Sequence, residues 1–315
     1  MNKNFPVFDL HCDTSNELIG AGYYPKSRLL SNTCHIDLER ASKLAGYAQC
    51  FACFTTYDLA EDIEALFKQK RDAVLEQIEK NSSLIRQAFS AADIEANRKA
   101  GIMSAVLTIE GPCGFGCDPE KLQDLKSQGF LITSLGWNEQ NPLVGSHITG
   151  GGLSDKGREY VREAQRLGMA IDLSHISDEG FWDIMDISEA PVFATHSNSR
   201  AVCPHSRNIT DDMFRAIAET GGAVGINLYA DFLGKDATLD TVCDHIFHFL
   251  ELDPSGSHIA LGGDLDGIDS TPEGFNGVED YPALAARLLE RGLDEKTVYN
   301  IFWQNALNAL AKCER

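Results

Sequence analysis

Short apolar segments alternate with amphipathic segments along the chain of 315 residues. Eight of the apolar segments lack polar alternation, which is typical of parallel strands buried on both faces. They are residues 7–10, 47–54, 103–109, 130–135, 170–173, 192–194, 223–227 and 259–261. Helical spacing of apolar residues predicts helices at residues 59–88, 155–167, 210–219, 239–252, 282–290 and 295–311.

Strands that alternate with helices eight times predict an α/β fold of the (β/α)₈ TIM barrel type. A doubly wound open sheet is the alternative. However, no Gly-x-Gly-x-x-Gly motif follows the first strand, so the dinucleotide-binding version lacks its signature. The sequence shows no linker, repeat or low-complexity stretch. We therefore predict a single (β/α)₈ domain over residues 1–315.

The formal net charge is −20. This excess of acidic residues argues against binding to nucleic acid and to anionic membrane surfaces. No apolar run approaches the roughly 20 residues that span a bilayer. The first residues lead directly into the first predicted strand, without the pattern of a signal peptide. We therefore expect a cytoplasmic protein with no membrane or nucleic-acid partner.

The nine cysteines are scattered and odd in number, which is not the pattern of a secreted disulfide framework. Cys50 and Cys53 have redox or zinc spacing, but they lie inside a predicted strand and no second Cys-x-x-Cys occurs. We interpret both as buried small apolar residues. A metal or redox role for Cys113 and Cys117 stays an open alternative.

Residues that bind metals follow the predicted strands, where (β/α)₈ barrels carry their active sites. His11 and Asp13 follow the first strand, and side chains two residues apart on a strand point the same way. One imidazole and one carboxylate suit zinc or a similar divalent ion. Glu110 follows the third strand, and its two oxygens are able to bridge two ions.

Three more strand ends carry His175, His196 and the pair Asp264 and Asp266. Each has a purely structural explanation, because a histidine at a strand end is commonly just hydrogen-bonded and aspartates cap turns and helices. The joint order His-x-Asp, Glu, His, His, Asp over five strand ends is harder to explain that way. It predicts a two-metal centre at the mouth of the barrel.

Several segments resemble the membrane (renal) dipeptidase family, a branch of the amidohydrolase-like metal barrels. The segments RLGMAIDLSH (residues 166–175) and GGDLDG (residues 262–267) are the most specific. The other matching segments, in family order, are residues 9–14, 109–111, 195–197 and 206–212. They span most of the chain, so we identify it as a member of this family.

The resemblance implies a dipeptidase, usually a homodimer, with two zinc ions per chain or other divalent metals in their place. It implies that His11, Asp13 and Glu110 hold one zinc, and that Glu110, His175 and His196 hold the other. A hydroxide bridging two such ions forms near neutral pH and attacks the peptide bond.

The resemblance also assigns the substrate contacts. Arg207 matches the arginine that receives the C-terminal carboxylate of the dipeptide, and Asp264 matches the acid that handles the proton of the bridging water. Two other functions stay as alternatives. One is a related two-metal amidohydrolase that acts on an N-acyl amino acid or a lactam. The other is a non-catalytic metal-binding protein.

The sequence departs from the animal enzymes after the fourth strand, where they carry a histidine near the scissile carbonyl. Here Trp137 and Asn138 occupy that neighbourhood. We expect Asn138 to donate a hydrogen bond to the oxyanion and Trp137 to form a wall of the pocket, unless Trp137 belongs to the core or rim. His147 is an alternative replacement for the missing histidine.

Overall fold

The strands of this computed structural model, which describes residues 4–314, fall where most of the apolar segments were predicted. They are β1 (Val7–Cys12), β2 (Tyr47–Phe54), β3 (Ile85–Gln87), β4 (Met103–Glu110), β5 (Phe130–Ser134), β6 (Ala170–Asp172), β7 (Val192–Ala194), β8 (Ala223–Ile226) and β9 (Ile259–Leu261).

The helices surround these strands. They are α1 (Thr14–Ile19), α2 (Leu38–Ala41), α3 (Ile63–Lys80), α4 (Ala91–Lys99), α5 (Leu122–Ser127), α6 (Asp155–Arg166), α7 (Asp178–Met185), α8 (Asp211–Thr220), α9 (Ala230–Leu233), α10 (Leu239–Leu252), α11 (Tyr281–Glu290), α12 (Glu295–Tyr299) and α13 (Asn305–Cys313). Short 3₁₀ turns lie at Pro112–Phe115, Pro119–Lys121 and Val278–Asp280. Among residues 4–314, no helix combines the length and the hydropathy needed to cross a bilayer.

The strands pair in parallel in the order β1, β2, β4, β5, β6, β7, β8 and β9. β9 then pairs with β1, at Asp9 opposite Leu261, so the sheet closes on itself. β3 is an extra strand that pairs with the first three residues of β4. The predicted (β/α)₈ barrel is therefore confirmed.

Two predicted helices differ from the structure. The helix predicted over residues 59–88 is α3 followed by β3, because Asp62 caps α3 through the backbone N–H of Ala65 and the chain leaves the helix after Lys80. The helix predicted over residues 295–311 is α12 and α13, joined by a π-helical turn at Asn300–Gln304. In the first case helical spacing continued through residues that do not extend the helix, whereas in the second the chain stays helical and only its winding changes at Asn300–Gln304.

Helix α13 lies across the amino-terminal ends of the barrel strands. Lys312 Nζ donates to Gly221 O at 3.2 Å and Cys313 Sγ donates to Pro191 O at 3.5 Å, and these carbonyls precede β8 and β7. The helix packs in one apolar cluster with Phe8 of β1 and with Trp303 of the π-helical turn. This end of the barrel is therefore closed by apolar packing, and the loops at the other end are left to form a site.

Buried cysteines contribute to the packing of the sheet. Cys50 and Cys53 are both fully buried in β2, as predicted for small apolar residues. All nine cysteines, from Cys12 to Cys313, are free.

Candidate metal centre

Five strand ends bring ionisable side chains together at the carboxyl-terminal mouth of the barrel. His11 is the next-to-last residue of β1 and Glu110 is the last residue of β4. His175, His196 and Asp264 follow the ends of β6, β7 and β9 within three residues. All five are buried.

The end of β1 is irregular. Simple alternation along a strand would place the side chains of Asp9 and His11 together, and the irregularity separates them. The pairing of β1 with β2 shifts register between Asp9 and Cys12. The Asp9 carboxylate accepts hydrogen bonds from Tyr281 Oη of α11 and from the backbone N–H of His11 at 2.9 Å. The His11 side chain lies instead beside Glu110. Asp9 therefore braces the strand end that carries His11.

Glu110 lies at the centre of the cluster. Its Oε1 is 2.9 Å from His175 Nε2 and 3.6 Å from His196 Nε2, and its Oε2 is 3.5 Å from His11 Nε2. Asp13, the residue before α1, places its Oδ2 3.4 Å from the same His11 Nε2. The structure thus brings together two groups of possible metal ligands that share Glu110.

The protonation of these side chains suits a cation. Burial lowers the pKa of His175 and of His196 well below the usual range, which leaves their imidazoles neutral and able to bind a metal. Burial raises the pKa of Glu110 to about 7. Burial alone would lower the pKa of His11, but the carboxylates of Glu110 and Asp13 raise it well above its usual value. The raised pKa of His11 shows that the carboxylates of the cluster favour a positive charge at this position.

A buried atom without a hydrogen-bond partner gives a second test of whether the site fits a metal ion. His11 Nε2 is buried and finds no hydrogen-bond partner within residues 4–314. A buried polar nitrogen without a partner is costly, and it faces carboxylate oxygens at 3.4 and 3.5 Å. Histidine nitrogens with carboxylate oxygens are the ligand set of zinc and related divalent ions. The residues present therefore fit the predicted metal centre.

Neighbouring polar groups orient two of the imidazoles. Thr195 Oγ1 lies 2.8 Å from His196 Nδ1 and donates its own proton to Asp172 Oδ2 at 2.6 Å. His196 therefore donates from Nδ1, which leaves the Nε2 lone pair directed at the cluster. Metal-binding histidines commonly have such a partner on the second nitrogen. Neither Thr195 nor Asp172 was predicted as part of the site, although both lie beside the histidines of the matching segments.

Asp264 is a further acidic group of the cluster, besides Glu110 and Asp13. Its Oδ1 lies 3.7 Å from His11 Nε2, and its Oδ2 accepts a hydrogen bond from Asn227 Nδ2 at 2.9 Å. Asn227 follows β8 and was also missed, because its role depends on which neighbour it meets in space. Asp266 lies apart from the cluster and accepts hydrogen bonds from Thr14 Oγ1 and from the His35 N–H. It is therefore a structural brace.

Arg207 lies on the loop between β7 and α8 and is buried. It donates from Nη2 to His196 O at 3.1 Å and from Nη1 to Ser197 Oγ at 2.9 Å. Its Nε has no hydrogen-bond partner among the described residues. The guanidinium lies 5.7 Å from the centre of the Phe232 ring. A buried cation with an unused donor therefore lies beside the cluster.

A cavity of 190 Å³ opens next to the cluster, and its lining includes Trp137, Asn138, Tyr229 and Phe232 together with Glu110. The Trp137 ring packs against Phe54, with 4.8 Å between the ring centres. The side chain predicted as a pocket wall therefore lines the cavity. Asn138 lines it as well, but its Oδ1 lies 2.8 Å from His175 Nδ1.

The whole chain, residues 1–315, matches the sequence profile described as Membrane dipeptidase (Peptidase family M19). The chain belongs to this family. It is therefore a metallo-dipeptidase by family, and the predicted family and enzyme class are confirmed. Membership of this family implies metal ions. The residues of this chain that could hold them are the two groups of ligands that share Glu110.

Relatives and solved structures of dipeptidases agree with this membership. An uncharacterized dipeptidase of Schizosaccharomyces pombe is 38% identical over 212 residues, which are 65% of this chain and 52% of that protein. The matched part thus spans about half the length of that relative. A crystal structure of a metallo peptidase from Rhodobacter sphaeroides, liganded with a phosphinate mimic of the dipeptide L-Ala-D-Ala, is 26% identical. Its TM-score is 0.87, and the match covers 99% of this chain and 100% of that chain.

A second solved structure, described as the dipeptidase AC and as a metallo peptidase, is 27% identical with a TM-score of 0.88. The match covers 99% of both chains. Because each match covers 99% of this chain, the likeness extends to the end of the barrel where the ionisable cluster lies.

Proposed function

We propose that this chain, as one domain of residues 1–315, is a zinc-dependent dipeptidase that hydrolyses dipeptides with a free C-terminal carboxylate. The observation that carries the proposal is the pair of ligand groups that share Glu110 at the mouth of the barrel. A carboxylate with one oxygen near two imidazoles and the other near a third is suited to bridging two ions.

The proposed ligands follow from these groups. His11 and Asp13 would hold one zinc, His175 and His196 would hold the other, and Glu110 would contribute to both. Zinc ions held by these residues would acidify a water to give a nucleophile near neutral pH and would polarise the peptide carbonyl. The neutral imidazoles of His175 and His196 support this assignment, because a protonated imidazole does not bind a metal.

Asp264 is the proposed proton carrier. It accepts the proton of the attacking water and donates it to the leaving amine, as a general base and then a general acid. Its position supports the role: Asn227 holds Oδ2, and Oδ1 faces His11 at the centre of the cluster. Burial raises the pKa of Asp264, and a raised value suits a group that must hold a proton during the reaction.

Arg207 is the proposed anchor for the substrate's C-terminal carboxylate. The buried guanidinium has an unused Nε–H, and a planar fork of donors matches a carboxylate. Trp137 and Asn138 are proposed to contact the substrate from the cavity wall. Because Oδ1 of Asn138 faces His175, its Nδ2 is the group that would donate to the oxyanion. The dipeptide mimic bound by the Rhodobacter sphaeroides relative supports a dipeptide as the substrate.

A cytoplasmic homodimer completes the proposal. The dimer is supported by the family, and the compartment is supported by the nine free cysteines, which are typical of a reducing environment. The small cavity of 190 Å³ supports short substrates over long ones.

The decisive experiment is hydrolysis of a panel of L-X-L-Y and L-X-D-Y dipeptides by the zinc-loaded protein. Tripeptides, C-terminally amidated dipeptides and N-acyl amino acids belong in the same panel, with a chelated sample as the control. We expect zinc-dependent cleavage of the free dipeptides alone. If protein that holds about two metals per chain cleaves no dipeptide, the dipeptidase is wrong, and cleavage of N-acyl amino acids would identify the other amidohydrolase.

A further inference from the structure

The Asn138 side chain lies between two imidazoles. Its Oδ1 is 2.8 Å from Nδ1 of His175 and 3.0 Å from Nε2 of His147. On the far side, His147 Nδ1 is 2.8 Å from Ser206 Oγ. A hydrogen-bonded chain therefore runs from the loop after β7, through the loop after β5, to a proposed zinc ligand after β6.

The direction of these hydrogen bonds follows from the chemistry of the amide. An amide oxygen only accepts and an amide nitrogen only donates. With Oδ1 facing His175, the proton of that imidazole must lie on Nδ1, and the Nε2 lone pair then points at the cluster. The reversed amide would require the proton on Nε2, which is 2.9 Å from Glu110 Oε1 and would then be unable to bind a metal. The orientation of Asn138 thus selects the tautomer of His175.

His147 holds the amide in this orientation. It donates from Nε2 to the same Oδ1, so a reversed amide would require His147 as well as His175 to change tautomer. The Ser206 hydroxyl is free to rotate and donates to Nδ1.

The backbone around the pair is also fixed. The N–H of His147 donates to His175 O at 2.8 Å, and Ser146 Oγ donates to Asn138 O at 2.7 Å. The backbone segments at Asn138, His147 and His175 are therefore held together independently of the Asn138 and His147 side chains. A change of the Asn138 or His147 side chain removes the orienting hydrogen bonds while the loops keep these contacts.

We propose that Asn138 and His147 are positioning residues for His175: together they fix its tautomer and ring orientation and so strengthen zinc binding at the ion that His175 holds. This inference rests on the proposed zinc centre. It assigns Asn138 a task besides substrate contact, and it gives His147 a task that requires no contact with the substrate.

The test measures zinc affinity in the absence of substrate. Metal-free protein is titrated with zinc in competition with a chromophoric chelator, which resolves the two ions. Asn138→Leu keeps the size but removes the acceptor, and we expect one of the two zinc ions to bind about 10–100-fold more weakly. Asn138→Asp keeps an acceptor and is expected to stay within about threefold of the unchanged chain.

His147→Phe removes the second donor and is expected to weaken the same ion by roughly fivefold, since it acts through Asn138. Matched controls are Asn97→Leu, a buried asparagine that binds Ser104 Oγ at the start of β4, and His248→Phe, a histidine bound to Asp211. Both controls are expected to bind the two zinc ions as the unchanged chain does.

The outcomes separate the inference from the function beneath it. Unchanged zinc affinity in Asn138→Leu, or equal losses in Asn138→Leu and Asn138→Asp, would show that the accepting oxygen does not position His175. If the unchanged chain binds no zinc, the zinc centre itself is wrong and this inference falls with it. Circular dichroism of each variant shows whether it is folded, and the Asp and Phe variants decide the matter if Asn138→Leu is not.

Discussion

The two ends of the barrel are built from the same strands but bury different kinds of side chain. At the amino-terminal end, α13 and Trp303 pack against Phe8 in a fully buried apolar cluster. At the carboxyl-terminal end, three imidazoles lie buried against the carboxylates of Glu110 and Asp13. Apolar burial stabilises the first end, whereas burial of ionisable groups costs free energy at the second.

Backbone strain is also greater at the carboxyl-terminal end of the barrel than at the amino-terminal end. Residues with positive φ before β6 and β8 are glycines, Gly168 and Gly221, which adopt this region without penalty. At the other end His175 (φ 70°) and Asp264 (φ 59°) adopt it with side chains, at a cost of about 1–3 kcal/mol each. Stability is therefore concentrated at one end and chemistry at the other, as in other (β/α)₈ barrels.

The largest effect on activity is expected at the carboxyl-terminal end of the barrel, where the ionisable cluster lies. Asp264→Asn removes the proton carrier while keeping a hydrogen-bonding side chain of the same size. We expect kcat for a dipeptide to fall by about 10²–10⁴-fold, with metal content unchanged. Steady-state kinetics and elemental analysis of the same sample measure both. Full turnover in this variant would show that another group moves the proton.

The matching change at the amino-terminal end of the barrel is Trp303→Ala. It opens a cavity in the apolar cluster and is expected to lower the free energy of unfolding by about 3–5 kcal/mol. The kcat of the folded fraction should stay unchanged, because the site is at the other end. Denaturant unfolding and kinetics at low temperature measure the two quantities. A large loss of kcat in folded protein would contradict the separation of the two ends.

Removal of the metal tests how far bound ions offset the free-energy cost of burying ionisable groups at the carboxyl-terminal end of the barrel. At free zinc about 1,000 times the dissociation constant, binding contributes about 4 kcal/mol to stability. For a chain of 315 residues the unfolding entropy converts this into a fall in Tm of about 6 °C on chelation. Calorimetry with and without chelator measures it. Equal Tm values in protein shown to hold zinc would mean that the ions do not stabilise the cluster.

A smaller effect is expected from Arg207→Lys, which keeps the charge and loses the planar fork. We expect kcat/KM for free dipeptides to fall by about 10–100-fold, mainly through KM. Arg200→Lys is the matched control, because Arg200 lies on the same loop and pairs with Asp178 at 2.7 Å. Equal losses in the two variants would indicate a general disturbance of the loop.

The smallest effect is expected from Trp137→Leu. It removes the ring contact with Phe54 and one wall of the cavity, so we expect KM to rise about threefold and kcat to stay close to its original value. Kinetics with a small and a large dipeptide compare the two sizes. If kcat falls instead, Trp137 acts in the reaction itself.

The barrel strands were predictable because a parallel strand buried on both faces is a continuous apolar segment. β3 was not, because its three residues include one buried apolar side chain, Ile85, inside a longer helical pattern. His245 shows the same limit, because its spacing on α10 does not reveal its environment. It is buried, where Nδ1 accepts from the Ser199 N–H and Nε2 donates to Leu233 O.

The residues nearest the proposed metal ions were predictable because strand ends converge in a closed barrel. Their supporting partners were not. Thr195, Asp172 and Asn227 act through hydrogen bonds whose direction depends on distances that no spacing reveals. Asn138 was placed against the substrate, and the structure adds its contact with two imidazoles.

The closure of the barrel by α13 also bears on biosynthesis. Phe8 lies near the start of the chain and packs against Trp303 near its end. During translation, the amino-terminal opening of the barrel has no cover until α13 leaves the ribosome, about 15–60 s after Phe8 does. The nascent barrel therefore exposes apolar surface throughout its synthesis, and chaperones that shield such surface have this interval in which to act.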